Sequence, residues 1–242
     1  MVLRGIAQGV PTLQLAEELE LDYSTLLGRR HQIQKQALQG RRTGLPDQAV
    51  EADEMFPAEI SADAGEKADP HPDPDDPPRR RANKQRGRGT YRRGTYENDR
   101  PPTLGLVGRT SGELRLIVCT DTQQTTITPK IEAYTEPVVV LYTDGSNAYG
   151  RVEKTGRSRR SVNHSEGEWA RDADGDGLKE IHCNTMEGIW TGLRNFLRRF
   201  RGVHKKHLAQ QVAIFEWEHN LKEVTGGFLR MLMDPGFTLD PT

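Results

Sequence analysis

The stretch VVVLYTDG (138–145) decides the fold. Its apolar run, Val138 to Tyr142, has the length of a buried strand, and Asp144-Gly145 ends it with a carboxylate and a turn. Open α/β sheets gather their ligand-binding groups at strand ends, so Asp144 is the first candidate site residue. Upstream, TTITPKIEAY (125–134) reads as a helix entered through Pro129. TLGLVGR (103–109) and ELRLIVCT (113–120) read as two strands joined by the turn Thr110-Ser111-Gly112. QAVEADEMF (48–56) is an earlier strand to which that hairpin returns. Downstream, SVNHS (161–165) reads as a fifth strand, and NTMEGIWTGLRNFLRRF (184–200) and HKKHLAQQVAIFEWEHN (204–220) as two helices.

Three strands, a helix, two strands and then helices predict an α/β protein with a mixed five-stranded sheet and flanking helices, the succession of a ribonuclease-H-like fold. Ahead of it, TLQLAEELELDYSTLLGRRHQIQK (12–35) sets Leu15, Leu19, Leu26 and Leu27 at apolar positions, with Ala16 small where two helices approach. Leu21 and Tyr23 fall in the turn between them. This is helix-turn-helix spacing, in which Ser24 or Thr25 starts the second helix and Arg29, Arg30 and His31 face DNA. A plain amphipathic hairpin has the same pattern. The expected domains are a helical DNA-binding module over 1–45, the sheet domain over 46–222 and a C-terminal tail over 223–242.

The chain has 242 residues, with 34 Lys+Arg against 35 Asp+Glu. No apolar run approaches the roughly 20 residues that span a bilayer, and MVLRGIAQGV lacks the apolar stretch of a signal peptide. Cys119 and Cys183 are the two cysteines, too few for a disulfide scaffold or a zinc site built on cysteine pairs. A cytoplasmic protein without a membrane partner is expected. Hydrophobic residues make up 34% and mean hydropathy is −0.75, so part of the chain stays outside any core.

That part is the insertion over 57–100. Positions 57–78 hold seven acidic residues, one Lys and six of the 14 prolines, a composition for a disordered linker. Positions 79–100 hold nine basic residues and two acidic ones, with Arg86, Arg88, Arg92 and Arg93 among Gly and Tyr. Such a segment follows a phosphate backbone by charge and stacks bases on its rings. A second basic surface, Arg194, Arg198, Arg199, Arg201, Lys205 and Lys206, has no acidic residue within it and also suits phosphates.

Asp53 falls on the first strand, Asp144 follows the strand after the first helix of the sheet domain, and Glu187 lies in the first turn of a late helix. Three acids so placed converge at one sheet edge. Their hard oxygens suit Mg²⁺ or Mn²⁺, and two such ions about 4 Å apart serve phosphoryl transfer without a nucleophilic side chain.

With those residues in that order, 48–220 resembles the DDE transposases of prokaryotic insertion sequences, in the ISXO2-like branch. The stretches that carry the resemblance are VEADEMF, LGLVGR, VVVLYTDGSNAY, VNHSEGEWAR, HCNTMEGIWTGLRNFLRRFRGVHKKHL and FEWEHN. The resemblance implies a metal-binding catalytic triad of Asp53, Asp144 and Glu187, separated by 91 and 43 residues, with Asn184 the alternative third member. It implies two Mg²⁺ or Mn²⁺ ions and double-stranded DNA, at element ends and target, cut and joined by a homo-oligomer. Arg194, seven residues after Glu187 on the same helical side, matches the family's DNA-binding basic residue. Members usually carry a cysteine-bearing zinc ribbon before the helical module, whereas Met1 opens directly into that module. A truncated or inactive remnant that only binds DNA is therefore the alternative.

Each residue has a structural rival. Asn184-Thr185-Met186-Glu187 also spells a helix-capping box, and Asp144-Gly145 also spells an ordinary strand exit. Glu54 competes with Asp53, although period-two alternation sends the two to opposite faces. Asp172-Ala173-Asp174-Gly175-Asp176-Gly177 imitates the start of a calcium loop, but Cys183 stands where the bidentate Glu belongs, so a solvated connection is expected. His164 and His182 are expected near the site. Trp190, Leu193, Leu197 and Phe200 are expected to form the buried stripe of their helix.

Overall fold

The computed structural model describes residues 1–41, 44–57, 94–96, 100–163 and 166–221. Arg86, Arg88, Arg92, Arg93, His164, most of the insertion and the expected tail lie outside the described residues. Three helices come first: α1 (Val2–Ala7), α2 (Thr12–Leu19) and α3 (Tyr23–Gln39). They precede β1 (Ala49–Met55), β2 (Thr103–Gly108), β3 (Leu114–Val118), α4 (Gln124–Tyr134), β4 (Val140–Asp144), β5 (Ser158–Val162), α5 (Asn184–Arg198) and α6 (Lys205–Asn220).

The five strands form one mixed sheet in the order β3-β2-β1-β4-β5. β1 lies at its centre, antiparallel to β2 and parallel to β4, and β4 is parallel to β5. This is the expected ribonuclease-H-like arrangement. Alternation along β1 splits the core in two. Val50 and Ala52 join Leu104, Leu106 and Leu141 against Ile127 and Ile131 of α4. Met55 joins Val107, Leu114 and Leu116 in a cluster with Met186, Trp190 and Leu193 of α5 and Leu208 and Val212 of α6.

Leu15, Leu26 and Ala37 belong to that second cluster, so the N-terminal helices share a core with the sheet domain. α6 also seals an edge strand. Asn220 Oδ1 accepts from the backbone N–H of Leu114 at 2.7 Å and Glu216 Oε2 from that of Leu116 at 2.7 Å, blocking the donors by which β3 could recruit another strand. Glu216 also pairs with Arg41 at 2.9 Å; burial nevertheless raises its carboxyl above the ordinary range.

Several local expectations need correction. α4 begins at Gln124, which leaves Pro129 inside the helix instead of at its entry, at the loss of one backbone hydrogen bond. β5 begins at Ser158, before the expected SVNHS, because Arg159 and Arg160 are tolerated on an edge strand with one exposed side. α3 begins at Tyr23, one turn-residue early, capped by Asp22, whose carboxylate accepts from Thr25 N at 2.8 Å. Arg30 does not face outward. It is 2% exposed, donates to the Val10 carbonyl and lies 5.6 Å from the Phe200 ring centroid. Burial lowers its pKa to about 10. Within the insertion, Tyr96 N donates to Thr120 O at 2.8 Å, and Lys205 Nζ donates to Tyr96 O at 3.1 Å. Lys205 Nζ also lies 5.0 Å from the Tyr96 ring centroid.

Candidate active site

Ala52 of β1 pairs with Thr143 of β4 in parallel register, and the next residue on each strand is Asp53 and Asp144. Two carboxylates thus stand side by side at the carboxyl edge of the sheet. Glu54 joins them. One carboxylate oxygen from each of Asp53, Glu54 and Asp144 lies within 4.8 Å of the other two. Strict alternation predicted that Asp53 and Glu54 diverge. At the last turn of the strand both are only half-buried, and the longer Glu54 side chain closes the gap.

Each of these acids is positioned from a different side. From the α5 side, Trp190 Nε1 donates to Asp53 Oδ2 at 2.7 Å. Gly105, the β2 partner of Asp53, makes this approach feasible: a Cβ there would lie 2.2 Å from Met186 Cε and 2.6 Å from Trp190 Cη2. Asp144 Oδ1 accepts from Ser146 N at 2.9 Å. Arg159 holds that turn, donating Nη2 to the Asp144 carbonyl at 2.8 Å and the Ser146 carbonyl at 3.0 Å. From the α4 side comes Tyr149, fully buried in the short turn of Asn147–Tyr149. Burial, then the charges of Glu54, Asp53 and Asp144, push its phenol well above the ordinary range.

Two residues before Asp53, Glu51 is buried to 0% exposure and serves α5. Its Oε2 accepts from Thr185 N at 3.0 Å and Met186 N at 3.2 Å, and its Oε1 from Thr185 Oγ1 at 3.0 Å and Arg109 Nε at 3.2 Å. A strand carboxylate therefore satisfies the orphan donors at the start of the helix and complements its dipole. Arg109 extends the clamp, donating to the carbonyls of Glu180 and His182 at 2.6 and 2.7 Å with its guanidinium 3.5 Å from the Tyr142 ring centroid. His182 Nδ1 is 3.4 Å from Glu51 Oε1, which places this histidine beside the helix start.

The capping box that rivalled the metal-binding reading at 184–187 does not form. Cys183 is the N-cap and makes no side-chain cap. Glu187 is exposed on the stripe Asn184, Glu187, Thr191, Arg194 and Arg198, one turn before Trp190. Among the described residues the convergent acids at this edge are Asp53, Glu54 and Asp144, with Glu187 and Asn184 outside the group. The buried stripe is Met186, Ile189, Trp190, Leu193, Phe196 and Leu197, with Phe200 half-buried. Arg194, Arg198, Arg201 and Lys206 are exposed, and Lys205 is half-buried against Tyr96. Asp172, Asp174 and Asp176 also approach one another, and their oxygens accept from backbone N–H groups of their own loop.

Sequence reasoning missed the roles of Glu51, Glu54, Trp190 and Tyr149. Glu51 had a signal: it lies on the face of β1 that Asp53 shares, between Val50 and Ala52, and a carboxylate inside an apolar strand needs donors from a neighbouring element.

Residues 75–220 match the family described as the ISXO2-like transposase domain. The chain belongs to this family. It is also 29% identical over 204 residues to an uncharacterized protein in transposable element ISH50 of Halobacterium salinarum, a match that covers 84% of this chain and 62% of that protein. The chain thus spans less than two thirds of that relative's length. No helix among the described residues is long and apolar enough to cross a membrane.

Proposed function

We propose that this transposase-family chain cuts and joins DNA at the ends of an insertion sequence by metal-dependent phosphoryl transfer, with Asp53, Asp144 and Glu187 as its catalytic acids. The observation that carries the reading is the pair Asp53 and Asp144 on adjacent parallel strands, with Glu54 close by; Glu187 enters through the family resemblance. A set of hard oxygen donors suits Mg²⁺ or Mn²⁺ and fits no soft metal. Two such ions, when bound, supply Lewis-acid stabilisation to the attacking and leaving oxygens of an in-line displacement.

The chain's own residues do the positioning. Trp190 and Ser146 fix the orientation of Asp53 and Asp144, so little reorganisation is needed when charge builds at the phosphate. Glu51 and Arg109 hold the start of α5, the helix that carries Asn184 and Glu187, against the sheet. Arg194, Arg198, Arg201, Lys205 and Lys206 line the approach for the DNA backbone, with Arg86, Arg88, Arg92 and Arg93 of the insertion as further phosphate contacts. Two element ends brought together require at least two protomers, so a homo-oligomer assembles on DNA.

The test is Mg²⁺- or Mn²⁺-dependent nicking and strand transfer on a labelled duplex carrying the element's ends. Wild type should give joined products and Asp144→Asn none, with DNA binding retained in both. Binding without cleavage by wild type would replace this reading with that of a DNA-binding remnant, and undiminished joining by the variant would remove Asp144 from the mechanism.

A further inference from the structure

We propose that Glu54 is a ligand of the first divalent cation, which Asp53, Glu54 and Asp144 hold together before DNA arrives, with no contribution from Glu187. This rests on the metal-dependent reading above and goes beyond the triad that reading names.

Two independent observations support it. The first is the convergence of the three carboxylates, one oxygen from each within 4.8 Å of the others. Three like charges that close repel in the absence of a cation, and a divalent ion converts the repulsion into coordination. The second is Tyr149. Its side chain is fully buried in the cluster with Val50 and Ala52, on the face of β1 that Glu54 continues, and its hydroxyl has no hydrogen-bond partner among the described residues. A buried hydroxyl left unsatisfied costs about 1–3 kcal/mol, so its place beside the acids implies a further group there that completes it. Tyr149 is thus a positioning residue on the α4 face, opposite Trp190 on the α5 face.

The arrangement also explains why two acids follow each other on β1. Asp53 is oriented by α5 and Glu54 lies on the side of Tyr149, so the strand end offers ligands to both faces of the sheet edge. All three carboxylates sit on β1 and β4, adjacent strands of one rigid sheet, whereas Glu187 stands on the exposed side of a helix.

Binding of Mn²⁺ to the full chain without DNA tests this, followed by calorimetry and by the Mn²⁺ paramagnetic resonance signal, with thermal melting of each variant as the folding control. Asp144→Asn should abolish the tight site. Glu54→Gln should weaken Mn²⁺ binding about 10- to 100-fold, Tyr149→Phe by a smaller factor, and Glu187→Gln by less than about twofold. Glu54→Asp, which keeps the charge, replaces the Gln variant if that melts early, and should weaken binding because the shorter side chain no longer closes the gap. If Glu54→Gln binds as wild type while Asp144→Asn does not, the inference is overturned and the metal reading stands. If Asp144→Asn also binds as wild type, the metal reading itself falls. A loss in Glu187→Gln equal to that in Glu54→Gln would refute the independence from α5.

Discussion

Glu51 and Asp53 occupy one face of one strand two residues apart, and they do opposite things with the same functional group. Glu51 is fully buried and accepts from two backbone N–H groups, a hydroxyl and a guanidinium. Asp53 is half-buried at the strand end, oriented by an indole N–H, with two other carboxylates close by. The difference teaches how to separate structural from chemical acids in this fold. A carboxylate surrounded by donors is an anchor, and one surrounded by other carboxylates is a site. Glu51→Ala breaks the first case. It leaves the Arg109 guanidinium and the start of α5 uncompensated, and should cost about 3–5 kcal/mol of folding stability in urea titration. Asp53→Asn should change stability by less than about 1 kcal/mol while eliminating strand transfer. Equal losses of stability in both variants would erase the distinction.

Trp190 sharpens the comparison because it belongs to both sides. Its ring is packed in the core, yet its N–H serves Asp53. Trp190→Phe keeps most of the packing and removes the donor, so metal-dependent cleavage should fall about 10- to 100-fold with folding largely intact. A loss of stability without a change in cleavage at saturating metal would make Trp190 an ordinary core residue. Gly105→Ala acts on the same contact from the other strand. The added methyl meets Met186 and Trp190, and repacking should cost about 1–3 kcal/mol by thermal or urea melting. Unchanged stability would show that α5 has room to move off the sheet.

The positions of Asp53, on β1, and Asp144, at the end of β4, were legible because both strands stand out in the sequence pattern. The succession of strands and helices followed from the same pattern. The partners of these acids were not legible, since they depend on contacts between elements far apart in the chain. Glu51 reaches residues 185 and 186, and Asp53 reaches Trp190. Glu54 was passed over because alternation sends it to the face opposite Asp53, as it does, and sequence gives no sign that carboxylates from both faces meet at the sheet edge. Arg30 was misjudged as DNA-facing because a long basic side chain on an amphipathic helix gives no sign in sequence of which neighbour will cover it. Similarly, FEWEHN stood out as a motif before its use was visible: Glu216 and Asn220, four apart on α6, close the edge of β3.

The smallest expected effect concerns a titratable group whose neighbours are neither donors to it nor acids. His31 of α3 stacks on His207 of α6 with ring centroids 4.9 Å apart, and Arg30 is its neighbour in the chain. Burial first, then the charges of His207 and Arg30, lower its pKa below the ordinary 6.5. The folded chain therefore binds fewer protons than the unfolded chain in this range. The contribution of His31 to stability is fully present above pH 6.5 and is lost as pH falls through its folded value. His31→Gln removes that proton and with it the dependence. Going from about pH 7.5 to about pH 5.5, the melting temperature of the variant should gain on that of wild type. Here, as at Glu51, company decides the outcome: a buried carboxylate among donors anchors a helix, and a histidine beside like charges loosens α3 from α6 as it is protonated.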